Sequence, residues 1–431
     1  MKHCIVVGGG LAGLSASVYL AEKNLKITLL EASPKLGGRA YSLYSRENNG
    51  YYDNGQHILM GCYDETIAFL RKINSIDKLV FQESLSISFV QRGGKINKLF
   101  APKGFFPLNL LFAIMNYKVL RFRDRLKIVD VFLDLLCDYS DNLKTKTVKE
   151  WLDSKNQSEN NNKAFWDIIV AGALNTTSEK ASAELFSEIL KRIFLTDNAS
   201  SVIIIPDMGM SDLYINNAVN FISARKGIIK LNERVIAVLT ENDKIVKIET
   251  NKNIYEDFDF LVIAIPTHAI EKIDFLNSIK PNIPKLNYSP ILNVHFWLNV
   301  NPFKEKFYGL IDSKIHWLFN HGNHISMTAS SADELIGFEN DDIKTVFLSE
   351  IEKFFPIFRS EFVSGSKIIK EKRATFIPDI LSNQIRKDIC SPYDNLFLAG
   401  DWINTGLPST IESAVLSGRL AANYVLSSLS N

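Results

Sequence analysis

Two groups of residues, at opposite ends of the chain, have the types and spacing needed to grip a dinucleotide. Gly8-Gly9-Gly10-Leu11-Ala12-Gly13 fits the pattern G-x-G-x-x-G, and the acid Glu31 follows it. In such a pattern Gly8 permits a tight turn, Gly10 lets backbone approach a pyrophosphate, and Gly13 lets a helix pack close on a strand. The helix start then offers N–H groups, beginning with Leu11 and Ala12, to the phosphates. Glu31 is placed to accept hydrogen bonds from adenosine ribose hydroxyls. Gly37-Gly38-Arg39 gives backbone a second place to close on the pyrophosphate, and Arg39 adds a positive charge. The second group is Gly400-Asp401 with Pro408-Ser409-Thr410-Ile411-Glu412.

Strands, turns and helices must position these groups, and the apolar pattern supplies them. His3 to Val7 is the short apolar run of a buried parallel strand. Leu14, Val18 and Ala21 recur at helical spacing, and Lys26 to Leu30 reads as a second strand. From His57 to about residue 200 the pattern is mostly helical, with apolar periodicity in Phe69–Ile73, Leu108–Met115, Leu126–Leu136 and Ala183–Phe194. The polar run Asn156–Asn162 reads as a surface loop. Val202 to Ile205 reads as a strand, and Ser211 as the cap of the helix after it. Gly227–Val238, Ile245–Thr250 and Phe258–Ile265 then read as three strands, followed by a strand at Ile291–Val300 and a helix at Lys344–Phe354.

Asn395 to Asp401 is a buried strand ending in an acid, and Ser409 with Glu412 fits a capping box for the last helix. NAD has no need of this third element, whereas an extended FAD does. Asp401 would reach ribityl or pyrophosphate-side groups, and the helix start around Thr410 and Ile411 would face the flavin pyrimidine. The fold expected is α/β. A Rossmann-type FAD-binding domain (1–60, 206–270 and 386–431) is interleaved with an α+β substrate domain (61–205 and 271–385).

At 431 residues the chain is long enough for two or three domains. Its 49 lysines and arginines nearly cancel 48 aspartates and glutamates, so no field draws it to nucleic acid. Cys4, Cys62, Cys137 and Cys390 form no C-x-x-C pair, which argues against zinc and suits a reducing compartment. The N-terminus enters a core strand at once, so no signal peptide is expected. No apolar run reaches the roughly 18–20 residues that span a bilayer. A cytoplasmic protein is expected, with room for peripheral contact at the inner membrane face.

The motifs at both ends, with Pro206–Leu213 and Phe258–Pro266, resemble the amine oxidase and phytoene desaturase superfamily of FAD proteins. Within it, Asp53-Asn54-Gly55-Gln56-His57-Ile58-Leu59-Met60-Gly61-Cys62-Tyr63 is similar to the bacterial hydroxysqualene dehydroxylases, also called squalene-associated FAD-dependent desaturases. So is Ala399–Trp402 with Thr405–Ala414. The resemblance implies noncovalent FAD, a long apolar isoprenoid substrate, reductive loss of the hydroxyl of hydroxysqualene to give squalene in squalene and hopanoid biosynthesis, and a separate electron donor. By the superfamily's pattern Val235 would contact the adenine through its backbone. Two alternatives stay open: a phytoene-type desaturase, which runs the flavin oxidatively, and a prenyl-lipid escort protein without redox chemistry.

Removing an allylic hydroxyl needs a proton for the departing oxygen. His57 is the candidate general acid, with Tyr63 and Asp401 behind it. Asp53 is read as holding its loop rather than pairing with Arg39. His321-x-x-His324 invites a zinc site but has no supporting ligand at a suitable spacing, so no metal is expected. Phe105 to Tyr117 carries no charge, and Lys118, Arg121, Arg123 and Arg125 follow it. That order suits either a helix lying in an anionic lipid interface or a core helix with a solvated basic end.

Overall fold

Five short strands, all parallel, carry the nucleotide-binding motifs, in the order Ile228–Lys230, Lys26–Leu30, His3–Val7, Phe260–Ile263, Leu396–Leu398. Helices cover such a sheet on both faces, which is why its inner strands His3–Val7 and Phe260–Ile263 are buried throughout rather than alternating. All five residues of His3–Val7 are buried. The computed structural model describes residues 1–136, 143–276, 283–386 and 391–429. Cys137 and Cys390 lie outside the described residues.

The sheet joins the ends of the chain. Helix Leu11–Glu22 packs along the last helix, Ile411–Ser427, and Ser15 Oγ donates to the Val415 carbonyl at 2.8 Å. A Cβ on Gly418 would stand 2.2 Å from the Ala12 carbonyl oxygen, so only glycine allows this approach. Beside the parallel sheet lies a four-stranded one in which Val235–Glu241 pairs with Lys244–Thr250 and, in parallel, with Asp274–Leu276.

A seven-stranded sheet organises the other half, ordered Val363–Phe376, Tyr288–Leu298, His324–Ser330, Trp317–Asn320, Phe307–Leu310, Ser86–Val90, Ile96–Phe100. Two further apolar clusters form around it. One is built from Leu292, Phe296, Phe347 and their neighbours, the other from the helices between residues 108 and 194. Helix Asp64–Lys72, assigned from sequence to the substrate domain, packs instead with the nucleotide core through Phe69 and Leu70. Among the described residues, no helix is long and apolar enough to cross a membrane.

Several expected elements change. The strand expected at Gly227–Val238 is two, Ile228–Lys230 and Val235 onward, in different sheets. The region expected to be mostly helical contains the hairpin Ser86–Val90 and Ile96–Phe100, whose polar turn and lysines mask its alternation. Asn156–Asn162 is no surface loop, because Gln157, Asn161 and Asn162 are buried. Gln157 Oε1 accepts from Trp166 Nε1 and from Asn161 Nδ2, both at 2.9 Å. Amides that satisfy one another inside a core have the composition of a loop, so composition misleads here.

Candidate functional site

The loop after His3–Val7 has the geometry its glycines suggested. Gly8 sits at φ +109°, and a Cβ on Gly13 would fall 1.8 Å from the Gly8 carbonyl oxygen. Gly10 and Gly38 face each other across the turn, since a Cβ on Gly38 would lie 3.1 Å from the Gly10 Cα. Gly37 N–H donates to the Gly9 carbonyl at 2.8 Å, locking the second glycine loop onto the first. Glu31 closes this end. Its carboxylate accepts from Gly9 N–H at 2.6 Å and from Ser33 N–H at 2.8 Å. Glu233 N–H donates to the Glu31 carbonyl at 2.8 Å, which brings Val235 to the same edge.

Arg39 runs from this loop to the far end of the chain, where its Nη2 lies 2.6 Å from Asp401 Oδ1. Its Nη1 donates to the Ala374 carbonyl at 3.0 Å. Burial alone would push the Asp401 carboxyl up; Arg39 and a hydrogen bond from Ser409 Oγ overcome that and hold it below the usual carboxylate range. Ser409 is therefore not the helix cap. Thr410 is, accepting from Ser413 N–H at 3.1 Å. Glu412 does not close a capping box either. It reaches across to helix Asp64–Lys72, where its two carboxylate oxygens accept from Glu65 N–H and Thr66 N–H, each at 2.9 Å. Two adjacent hydroxyls competing for one cap position explain the one-residue error.

Asp53 holds its loop. Oδ1 accepts from Ser42 Oγ at 2.7 Å and from Met210 N–H at 3.0 Å, at the start of the helical turn Ser211–Ile215. Ser211 does not cap that turn; its own N–H donates to Ser42 Oγ at 3.0 Å, and its hydroxyl oxygen accepts from Ser42 N–H. Asn54, 1% exposed, was passed over as a site residue although it ties three segments together. It accepts from Tyr41 N–H and donates to the Arg39 carbonyl, both at 3.0 Å, and to Glu371 Oε1 at 3.1 Å. Tyr214 was also missed. Its hydroxyl reaches the carbonyls of Gly37 and Ala40. The signal for both is position, beside motifs already recognised.

His57 stands half-buried beside Asn54, with Nε2 3.4 Å from Asn54 Oδ1. Burial pushes its imidazole down to about 4, so the ring is neutral near pH 7. Tyr63, at the start of helix Asp64–Lys72, packs between the nucleotide core and the helical cluster of the other half. The rings of His321 and His324 stack with centroids 4.5 Å apart.

The description "Flavin containing amine oxidoreductase" matches residues 11–426. The chain belongs to that family. It is 28% identical to a hydroxysqualene dehydroxylase of Rhodopseudomonas palustris over 99% of this chain and 98% of that protein. A hydroxysqualene dehydroxylase of Zymomonas mobilis is 25% identical, with 98% of each chain covered. A 15-cis-phytoene desaturase of Arabidopsis thaliana is 26% identical over 98% of this chain and 79% of that one. The fold is shared with solved structures, among them cyclohexylamine oxidase from Brevibacterium oxydans, with TM-score 0.69 and 13% identity over the whole of both chains.

The chain is an FAD-dependent oxidoreductase of that family, and its residues fit the cofactor. No side chain caps helix Leu11–Glu22 at Gly10, which leaves its first-turn amides to a phosphate. Gly10 and Gly38 together keep that approach clear of side chains. Gly400, at φ +139°, turns the chain so that Trp402 folds beneath it; a Cβ there would meet Trp402 Nε1 at 2.5 Å.

Proposed function

We propose that this protein is a hydroxysqualene dehydroxylase, removing the hydroxyl of its C30 substrate reductively to give squalene and water. The observation carrying this reading is similarity along nearly the entire chain, at 25–28% identity, to three enzymes of that name. The pyrophosphate of a noncovalently held FAD would lie at Gly8, Gly10, Leu11, Ala12 and Gly13, opposite Gly37, Gly38 and Arg39. Glu31 would take the ribose and Val235 the adenine. Gly400, Asp401, Thr410 and Ile411 would hold the flavin end. When bound and reduced by a separate electron donor, FAD would supply the hydride, carrying the electron pair, that replaces the hydroxyl.

The chain's own tasks are to deliver a proton to the departing oxygen and to exclude bulk water. His57 serves the first as a relay rather than a store. A neutral imidazole can give its N–H proton to the departing oxygen while its other nitrogen takes one from a water molecule, so the ring need not hold a charge that burial disfavours. Similarity at 25–26% identity to 15-cis-phytoene desaturases supports a second reading, oxidation of a related lipid.

An anaerobic experiment separates the two. Hydroxysqualene and phytoene are each offered to photoreduced and to oxidised holoenzyme, with products followed by mass spectrometry. Squalene formed only by reduced enzyme supports the dehydroxylase; phytoene turnover by oxidised enzyme, without squalene formation, replaces it with the desaturase. A His57→Ala holoenzyme with full turnover removes His57 from the mechanism.

A further inference from the structure

Two helices that follow the Ile96–Phe100 strand each carry an apolar face on both sides. In Leu108–Asn116, Leu110, Ala113 and Ile114 are buried, yet Leu108 and Phe112 on the opposite side are 63% and 52% exposed. In Phe122–Leu136, Ile128, Val131 and Leu135 face the core, while Phe122, Leu126 and Leu133 are 59%, 43% and 55% exposed. Phe105, just ahead of the first helix, is 87% exposed. A soluble helix keeps one apolar stripe and turns charge to water. These two turn large side chains to water instead, and they are consecutive in sequence and packed together.

The charges are arranged to match. Between Phe105 and Leu136 the exposed charged residues are Lys118, Arg121, Arg123 and Asp130, and all three cations lie at or beside the turn that joins the helices. Arg125, the fourth cation of the sequence pattern, is used internally, its guanidinium donating to the carbonyls of Leu120 and Met115. Tyr117 and Leu120 anchor the turn, 1% and 2% exposed, and Tyr117 Oη donates to the Ala164 carbonyl at 3.1 Å. The outer apolar faces therefore sit on a fixed support with a cationic collar at one end.

We propose that this helical hairpin is a membrane-docking surface for an anionic phospholipid bilayer. Phe105, Leu108, Phe112, Phe122 and Leu126 enter the boundary between headgroups and acyl chains, and Lys118, Arg121 and Arg123 meet the lipid phosphates. The hairpin lies on the bilayer and does not cross it, since its helices have nine and fifteen residues. Apolar area supplies the depth of insertion, and the collar selects negatively charged lipid.

The test is flotation of full-length, flavin-loaded protein with vesicles of phosphatidylcholine alone or mixed equally with phosphatidylglycerol. The protein should float with the anionic vesicles and stay largely behind with the neutral ones. Lys118→Gln/Arg121→Gln/Arg123→Gln should weaken anionic partitioning about a hundredfold, from roughly fivefold per cation. Leu108→Ser/Phe112→Ser should release the protein from the anionic vesicles, and its flavin absorbance and thermal midpoint should match the parent. Parent protein that ignores anionic vesicles overturns the proposal. So does a parent dimer that Leu108→Ser/Phe112→Ser converts to monomer without any vesicle binding, since the face then belongs to a second copy. Flotation involves no turnover, so its failure leaves the dehydroxylase reading standing.

Discussion

Arg39 and Asp401 are 362 residues apart in sequence and 2.6 Å apart in space. The pair joins the second glycine loop, Gly37-Gly38, to the segment that follows strand Leu396–Leu398, so the parts of the chain expected at the pyrophosphate and at the flavin end share one electrostatic contact. Asp401 is nearly enclosed while Arg39 keeps about a third of its side chain in solvent. Removing Arg39 leaves a buried carboxylate without its ion-pair partner, held by the Ser409 hydroxyl and its own backbone N–H, with Arg386 acting on it at longer range.

Arg39→Ala should therefore lower unfolding free energy by about 1–3 kcal/mol, less than for a fully buried pair because water reaches the guanidinium. Arg39→Ala/Asp401→Asn should recover part of the loss, since no unpaired charge remains. Chemical denaturation of the parent, both single variants and the double variant gives the coupling directly; a coupling near zero means the pair does nothing for stability. Asp401 is held below its unfolded value, so its share of stability is present above about pH 4 and is lost as pH falls further.

The pair also marks the limit of what the residues reveal in order. Gly8 to Gly13, Glu31, Gly37 to Arg39 and Gly400-Asp401 were legible because local strand–turn–helix grammar dictates each separately. That Arg39 meets Asp401, rather than Asp53, is a tertiary fact with no local trace. Asp53 could be assigned to its loop but not to the amide of Met210. The Gln157–Asn161–Trp166 network was misread for the same reason: partner identity decides whether an amide is solvated or buried, and composition does not carry it. Helix Ala183–Phe194, whose one-sided apolar period is decided locally, was found at its full extent.

Glu412 illustrates a cap supplied in trans. Both its oxygens serve the amides of Glu65 and Thr66, and Thr66 Oγ1 donates to Oε2 at 2.6 Å. Glu412→Ala should destabilise the protein by about 1–3 kcal/mol. Hydrogen exchange should quicken first at the start of helix Asp64–Lys72. Glu412→Gln keeps one acceptor and should cost less. Faster exchange confined to the start of helix Ile411–Ser427 would mean that Glu412 caps its own helix after all.

His295 and His324 are 2% and 7% exposed, with ring centroids 6.0 Å apart. Burial pushes His295 down to about 3, helped by the neighbouring histidines, and His324 down to about 4. Unfolded histidines bind protons near pH 6.5, so below that the unfolded chain gains protons that the folded one refuses. Their contribution is thus complete above about pH 6.5 and is lost as pH falls toward 4. Asp53, raised by burial to about 6, acts in the opposite direction, so the measurement compares variants with the parent. Thermal midpoints of the parent should drop across this window, and those of His295→Asn/His324→Asn should drop less. Parallel curves would show that the two rings do not govern acid stability.

Gly10 and Gly13 separate the cradle's two roles. Gly10 sits at φ −79°, ψ −176°, open to any residue, and a Cβ there would have only Gly38 Cα within 4 Å, at an ordinary 3.8 Å. Nothing in the polypeptide forbids Gly10→Ala; only a group lying against the loop would. Gly13→Ala instead drives a methyl into the Gly8 carbonyl, which the strand and helix cannot both accommodate. Gly10→Ala should keep the unfolding midpoint of the flavin-free parent while weakening FAD binding about tenfold or more. Gly13→Ala should lose about 1–3 kcal/mol of stability before any flavin is added. Flavin fluorescence quenching reads the first effect and denaturation of apoprotein the second. If Gly10→Ala binds FAD as tightly as the parent, the pyrophosphate does not rest between Gly10 and Gly38, and the cofactor path proposed through that gap is wrong.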